Sequence, residues 1–332
     1  MQLTFSIDPE ALRQRRERLA KLVDFPIILW SGQRHARNYP ANTYPFRASS
    51  HFLYFAGLPL ENAALRLEAG KLQLFMDDAG VDSALWHGAM AKRDTIALAM
   101  GADAAFPLSD LPAWNAHAAT IAVQHPSTHA AQEQILERPV PAVRAAEGID
   151  LALARAIVHL RLTHDQAALA ELRQAATVTV QAHQAGMLAV AHAKTEAQVR
   201  AAMEAVFIAQ NMTCAYPSIV TIQGEVLHNE QYHHALESGD LLLADVGAEA
   251  ATGWAADVTR TVPVSGKFSS TQKDIYDVVL AAHDACIAQI QPGVEYADIH
   301  RTACTTIAQG LVDLGTVSYT HLRAHETKAN LV

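Results

Sequence analysis

Two aspartates, Asp245 and Asp257, each sit in an otherwise apolar stretch with β character: 241–246 (LLLADV) and 254–264 (WAADVTRTVPV). The small residues and glycines of 247–253 (GAEAATG) read as a turn between them, so the two stretches read as arms of one hairpin. A carboxylate inside an apolar strand is costly to bury unless it is paired or bound to a metal. In a hairpin centred on Ala251 the two aspartates face each other, and opposed Cβ atoms lie about 4.5–5.5 Å apart. That spacing suits carboxylates sharing metals roughly 3.5–4 Å apart. Without a cation, two carboxylates so close repel and one gains a proton. The spacing therefore predicts a cradle for divalent metal ions. A plainer reading stays open: one aspartate faces solvent at a strand end and the other caps a turn.

Other residues attract less weight. The chain has 17 histidines, most of which must be structural or exposed. His183 and His192, nine positions apart on a long helical run, do not share a face and read as solvated. His233 and His234 are adjacent, so on a strand they point to opposite sides, although a loop fits them better. Glu225 and Glu230 flank His228 and read as surface residues, with Glu230 able to orient that histidine. Cys214 reads as a small core residue, since no Cys-His-Asn order supports a nucleophile.

The elements that must position the aspartates follow from composition and periodicity. The chain has 332 residues, half of them apolar and 18% charged, which is ordinary globular usage and predicts two domains. A formal net charge of -9 argues against a nucleic-acid or anionic-membrane surface. No apolar run is long enough to span a bilayer, and the first residues carry no secretory pattern. Three cysteines without CxxC spacing fit a reducing compartment, so the expected location is the cytoplasm. Asp8-Pro9 predicts an N-cap and a helix running to about Val23. Strands are expected at 26–30 (PIILW), 52–57 (FLYFAG), 63–68 (AALRLE), 71–77 (KLQLFMD) and 121–126 (IAVQHP), with a helix closed by Gly101 and a short one near 133–138. This interleaving predicts an α/β domain over 1–150. No glycine-rich phosphate loop follows any of these strands. From Ile149 helices dominate: 149–162, a long run from a Thr163 or Asp165 cap, and a further helix from Thr195. A strand near 215–224, the aspartate hairpin, a serine-capped helix and a last amphipathic helix ending at Gly315 complete an α+β pattern over 151–316.

Three stretches taken together resemble one family: YPSIVTIQGEVLHNEQ, SGDLLLADVGAE and GWAADVTRTVPVSGKFSSTQKDIYDVV. They are similar to the pita-bread metallopeptidases, and within these to Xaa-Pro aminopeptidases (aminopeptidase P) and Xaa-Pro dipeptidases (prolidases). YPFRASSHFLYFAGLP independently resembles the signature of their N-terminal domain, and the likeness covers about residues 10–316. The fold this implies is an α/β N-terminal domain followed by an incomplete α+β pita-bread catalytic domain.

The resemblance implies roles, residue by residue. Asp245 matches the aspartate that holds one metal, and Asp257 the aspartate that bridges both. His228, in LHN, matches a histidine that contacts the substrate or the developing intermediate. The implied cofactors are two divalent ions, manganese first, with cobalt or zinc as alternatives. The implied reaction is attack on the Xaa-Pro carbonyl by a bridging hydroxide, on a peptide with proline at its second position. Thr259 shares the face of Asp257 by strand parity and is expected to hydrogen-bond a ligand carboxylate, whereas Arg260 points away. Arg47 and His51 are placed near the mouth of the site by the family's N-terminal domain, with folding or inter-domain contact as the alternative. A homodimer is expected for the parent protein; nucleic acid and membrane are not expected partners.

Departures from the family pattern carry further expectations. The family separates its two aspartates by eleven positions, but here they are twelve apart, so one extra residue must be absorbed, with Gly253 available for a left-handed position. The family also needs a histidine and two glutamates downstream of LVDLG. The stretch 317–332 does not continue the pattern and reads as a non-native tail, in which the spacing of His321 and His325 is coincidental. The chain is therefore expected to be an inactive fragment of its parent. The alternatives are a creatinase-like C–N hydrolase that uses no metal and a non-catalytic pita-bread module that binds protein.

Overall fold

The computed structural model describes residues 8–317 apart from 81 and 116. The 317–332 stretch, with His321 and His325, thus lies outside the described residues but for Val317. Contacts divide the chain into two compact units. One holds the described residues as far as Gly186, with Arg200–Ile219 and Asp245–Thr259; the other holds Met187–Val199, Val220–Ala244 and the described residues from Arg260 on.

The first unit begins with α1 (Pro9–Ala20), whose cap Asp8 accepts from the Glu10 and Ala11 N–H groups. The elements that follow are β1 (Ile27–Trp30), β2 (Ala36–Tyr39), β3 (Asn42–Thr43), α2 (Ser50–Ala56), β4 (Ala64–Glu68) and β5 (Lys71–Phe75). After them come α3 (Ser83–His87), α4 (Arg93–Ala99), β6 (Ala104–Phe106), a 3-10 turn (Leu108–Trp114) and α5 (Pro126–Leu136). α6 (Gly148–Arg161) and most of α7 (Gln166–Val190) complete the unit's first continuous stretch. The sheet runs in the order β1-β4-β5-β6, with antiparallel β1·β4 and β4·β5 pairs and a parallel β5·β6 pair. Its apolar face packs on Leu12 and Leu19 of α1, on α2, on Ile96 of α4 and on Leu153 and Ile157 of α6.

Two expected strands are not strands. Residues 52–56 belong to α2, opened by Ser49, whose side chain accepts from Phe52 N–H, and closed by left-handed Gly57. Phe52 to Ala56 are all buried, so no polar face was left to mark a helical period. Residues 121–126 also leave the ladder, which reaches only a bridge between Ile27 and Ala119. There Gln132 takes the strand's place: its side chain accepts from Val123 N–H and donates to Ile121 O. The helix expected near 133–138 begins earlier, at Pro126, and is α5.

The later chain adds α8 (Glu196–Ala209), β7 (Thr213–Cys214), β8 (Ile219–Thr221), β9 (Leu241–Val246), β10 (Ala248–Glu249) and β11 (Val258–Pro263). β10 pairs with β7, and a three-stranded sheet runs β11-β9-β8. The chain then forms α9 (Ser270–Gln289) and α10 (Tyr296–Asp313). Ser269 and Gln272 make a reciprocal capping box on α9, and Gln272 also donates to Gly239 O at 2.8 Å. In this second unit Glu196 is fully buried; its carboxylate accepts from Ile222 N–H at 2.9 Å and from His234 N–H at 3.2 Å. Among the described residues no helix is long and apolar enough to cross a membrane.

Candidate metal centre

β9 and β11 bring the two aspartates to a common point. Tyr216, on the connection from β7 to β8, places its hydroxyl 2.7 Å from Asp245 Oδ1 and 3.0 Å from Asp257 Oδ1. A phenol has one proton to donate, so it bonds one carboxylate fully and holds the other within reach. Burial, followed by the two aspartate contacts, pushes the Tyr216 hydroxyl well above the ordinary tyrosine range, so it stays a neutral donor.

The strand register explains how residues twelve positions apart meet. Val264 N–H donates to Asp240 O at one end, and Ala256 N–H donates to Ala248 O at the other, where Glu249 also bridges Ala255. These pairings share one register, in which Thr259 lies across from Asp245 and Gly247 across from Asp257. The aspartates are thus diagonal neighbours on one face rather than directly opposed, a longer separation that the Tyr216 hydroxyl spans.

The left-handed position expected of Gly253 is found at the tip. Gly253 adopts φ +84, its N–H donates to Ala250 O, and Ala250 N–H donates to Trp254 O. Gly247 is required for another reason: a Cβ there would lie 1.8 Å from Ala256 O.

Helix α7 grips both arms. Thr179 Oγ1 accepts from Ala248 N–H at 3.0 Å, and His183 Nε2–H donates to Val258 O at 2.8 Å. Four positions apart, these side chains share one helix face. His183 is 4% exposed, so it is a buried holder of β11 and not the solvated residue expected from sequence.

Among the remaining candidates, Thr259 is the one that lies across from Asp245 in this register. His228 belongs to the second unit, in an exposed turn. Its neighbour Asn229 anchors that turn by donating to Thr221 Oγ1 at 3.0 Å and accepting from Gln231 N–H. Thr259 and Arg260 are exposed on β11. His234 Nδ1 meets Glu196 at 2.9 Å in a loop. Cys214 is half-buried with its thiol pushed up by burial. Arg47 is paired with Glu249, at 2.7 Å from Nε.

The pair fits the acidic part of a metal centre, since two carboxylates from adjoining strands converge on one point that a cation could occupy. They are the whole of it among the described residues, where no group of three or more His, Cys, Asp or Glu is arranged to hold a metal. Sequence reasoning gave Tyr216, Thr179 and Glu249 no role, read His183 as solvated, and placed Arg47 near the mouth of the site or in a folding or inter-domain contact without naming its partner. Tyr216 carried a signal as the first residue of the YPSIV stretch, and Arg47 as part of YPFRASSHFLYFAGLP.

Family models match both parts of the chain. Residues 12–123 match the model for the aminopeptidase P N-terminal domain, and residues 170–330 match that for metallopeptidase family M24. Xaa-Pro aminopeptidase 2 of Streptomyces coelicolor is 31% identical, covering 96% of this chain and 70% of its own length. The structure of aminopeptidase PepP from Pseudomonas aeruginosa superposes with a TM-score of 0.83 at 27% identity, over 97% of this chain and 77% of that one. Zinc-substituted Escherichia coli aminopeptidase P with product shares the fold, with a TM-score of 0.82 at 22% identity, over 97% and 78%. With its N-terminal domain, its hairpin of converging aspartates and these relatives, the chain belongs to the aminopeptidase P family of M24 metallopeptidases.

Proposed function

We propose that this chain supplies the N-terminal domain and the aspartate part of a dinuclear metal centre in an exopeptidase that hydrolyses Xaa-Pro bonds. The observation that carries the reading is the convergence of Asp245 and Asp257 on the single Tyr216 hydroxyl. Asp245 would hold one metal and Asp257 would bridge two, with manganese first and cobalt or zinc as alternatives. When bound, the metals supply carbonyl polarisation and an activated nucleophile. The chain's own residues do the rest. Tyr216 keeps the carboxylates together, Thr259 orients a ligand carboxylate from its cross-strand position, and His228 contacts the substrate. The names of the relatives favour an aminopeptidase over a dipeptidase. A peptide with proline at its second position, a homodimer and a cytoplasmic location belong to the same reading.

A metal-free, creatinase-like hydrolase is disfavoured because both aspartates are present and share one face. A non-catalytic binding module is the second reading, favoured by one observation: the described residues bring only two ligands together.

The test is manganese titration of the chain, followed by the EPR signal of the free ion. Binding that disappears in the Asp245→Asn/Asp257→Asn double variant supports the proposal. Equal uptake by the parent chain and the double variant, including none by either, overturns it.

A further inference from the structure

The tip of the aspartate hairpin carries a buried charge. The Glu249 side chain is 8% exposed, and a buried carboxylate needs a partner that satisfies its oxygens. That partner comes from 202 positions away. Arg47 donates to Glu249 Oε1 from Nε at 2.7 Å, and its Nη2 lies 2.6 Å from the same oxygen as an ion pair. Its remaining nitrogen, Nη1, donates to Ala48 O at 3.2 Å and to Ser50 Oγ at 3.1 Å. The guanidinium is therefore held at one end by the start of α2 and delivers its other edge to the hairpin.

The same N-terminal segment touches the tip twice more. A Cβ on Gly253 would lie 2.6 Å from Leu53 Cδ1, and the Trp254 ring packs edge-on against Tyr54 at 6.5 Å. On its other flank, Thr252 Oγ1 donates to Glu171 of α7 at 2.9 Å. Every one of these contacts falls on residues 249–254, the tip of the hairpin.

Position matters because a one-residue slip in a hairpin turns every side chain to the opposite face. The observed register sets Asp245 and Asp257 on one face, and a slip would separate them. The tip is where a slip begins, and it is made of small residues with weak side-chain preferences of their own. Glu249 is its one charged residue, with backbone pairings to both Thr213 and Ala255.

We propose that Arg47 is a positioning residue for the aspartate pair: by fixing Glu249 it holds the hairpin register that brings Asp245 and Asp257 to a common point. The N-terminal domain is then a working part of the site. The consequence for metal uptake rests on the reading of the aspartates as metal ligands; the positioning itself does not.

The experiment uses the whole chain without added metal. Amide hydrogen exchange follows Ala248, Ala250, Gly253 and Ala256, and carbon-13 NMR follows the Tyr216 Cζ resonance, assigned with Tyr216→Phe. In Arg47→Ala the four hairpin amides exchange about tenfold faster and the Tyr216 resonance shifts, while Leu65 and Leu74 in the N-terminal sheet stay as before. Arg47→Lys recovers part of the protection, and the reversed pair Arg47→Glu/Glu249→Arg recovers more than either single change. Should Arg47→Ala not fold, Glu249→Gln, which keeps an acceptor but loses the charge, carries the same readouts with a smaller change. Unaltered hairpin exchange and an unmoved Tyr216 resonance overturn the proposal. A manganese titration separates the two readings. If Asp245→Asn abolishes binding and Arg47→Ala weakens it, both stand. If Asp245→Asn leaves binding intact, the metal reading fails and the exchange data alone decide the positioning.

Discussion

The Tyr216 hydroxyl lies 2.7 Å from Asp245 Oδ1, so a neutral donor from the β7–β8 connection meets a carboxylate placed by β9. The same hydroxyl is 3.0 Å from Asp257 Oδ1, which makes it the contact that ties the two strands' acids to one point.

Removing that donor leaves two diagonal carboxylates on one face with no hydroxyl shared between them. Tyr216→Phe should cost about 1.5–3 kcal/mol of stability, the range for a hydrogen bond to a charged group. Urea denaturation at neutral pH measures it; an unchanged midpoint and slope would show that the hydroxyl does not hold the pair.

Gly247 has no room for any side chain, because a Cβ would fall 1.8 Å from Ala256 O, a backbone atom that can yield only by moving a strand. Gly247→Ala should therefore destabilise the protein by about 3 kcal/mol or more. Gly80→Ala, where nothing lies within 4 Å, is the control and should change little. Similar melting temperatures for both variants would contradict the observed closeness of the two arms.

Much of this arrangement was legible in the sequence. The β-hairpin, the shared face of its aspartates and the left-handed tip glycine all follow from apolar alternation and glycine placement, and they recur at β9, β11 and Gly253. What was not legible depends on packing over distance. A fully buried helix such as α2 shows no period, so 52–56 read as a strand. The nine-residue spacing from His183 on α7 to His192 beyond it put His183 in solvent, because nothing local reveals that its ring meets Val258 O. The centre of the hairpin, one residue later than expected, turned opposed aspartates into diagonal ones. The Arg47–Glu249 pair joins residues too far apart for any spacing rule.

His51 gives the chain a pH dependence. Burial first, and then the charge of Arg161, hold its imidazole down at about 4, against an ordinary value of 6.5. Its Nδ1 is buried and has no hydrogen-bond partner among the described residues. The folded state therefore keeps His51 neutral while the unfolded chain takes up a proton. The stability associated with the neutral form is complete above pH 6.5, declines as the pH falls below it, and is gone by about pH 4. Denaturation midpoints across this window should fall by the equivalent of about 2–3 kcal/mol and flatten in His51→Gln. The same slope in the variant would assign it to other groups.

The proposed dinuclear centre would need more ligands than the described residues gather. With manganese added, the chain should release no product from an Xaa-Pro peptide above the uncatalysed background. Manganese-dependent turnover abolished by Asp257→Asn would show that further ligands are present in it.

The central claim is that Asp245 and Asp257 form one cation site. Crystals of the chain soaked in manganese, with anomalous scattering recorded near the manganese edge, test it most directly. The account predicts an anomalous peak in contact with both carboxylates, with the Tyr216 hydroxyl displaced from between them. A map with no peak at the pair, or with manganese bound only elsewhere, would contradict it.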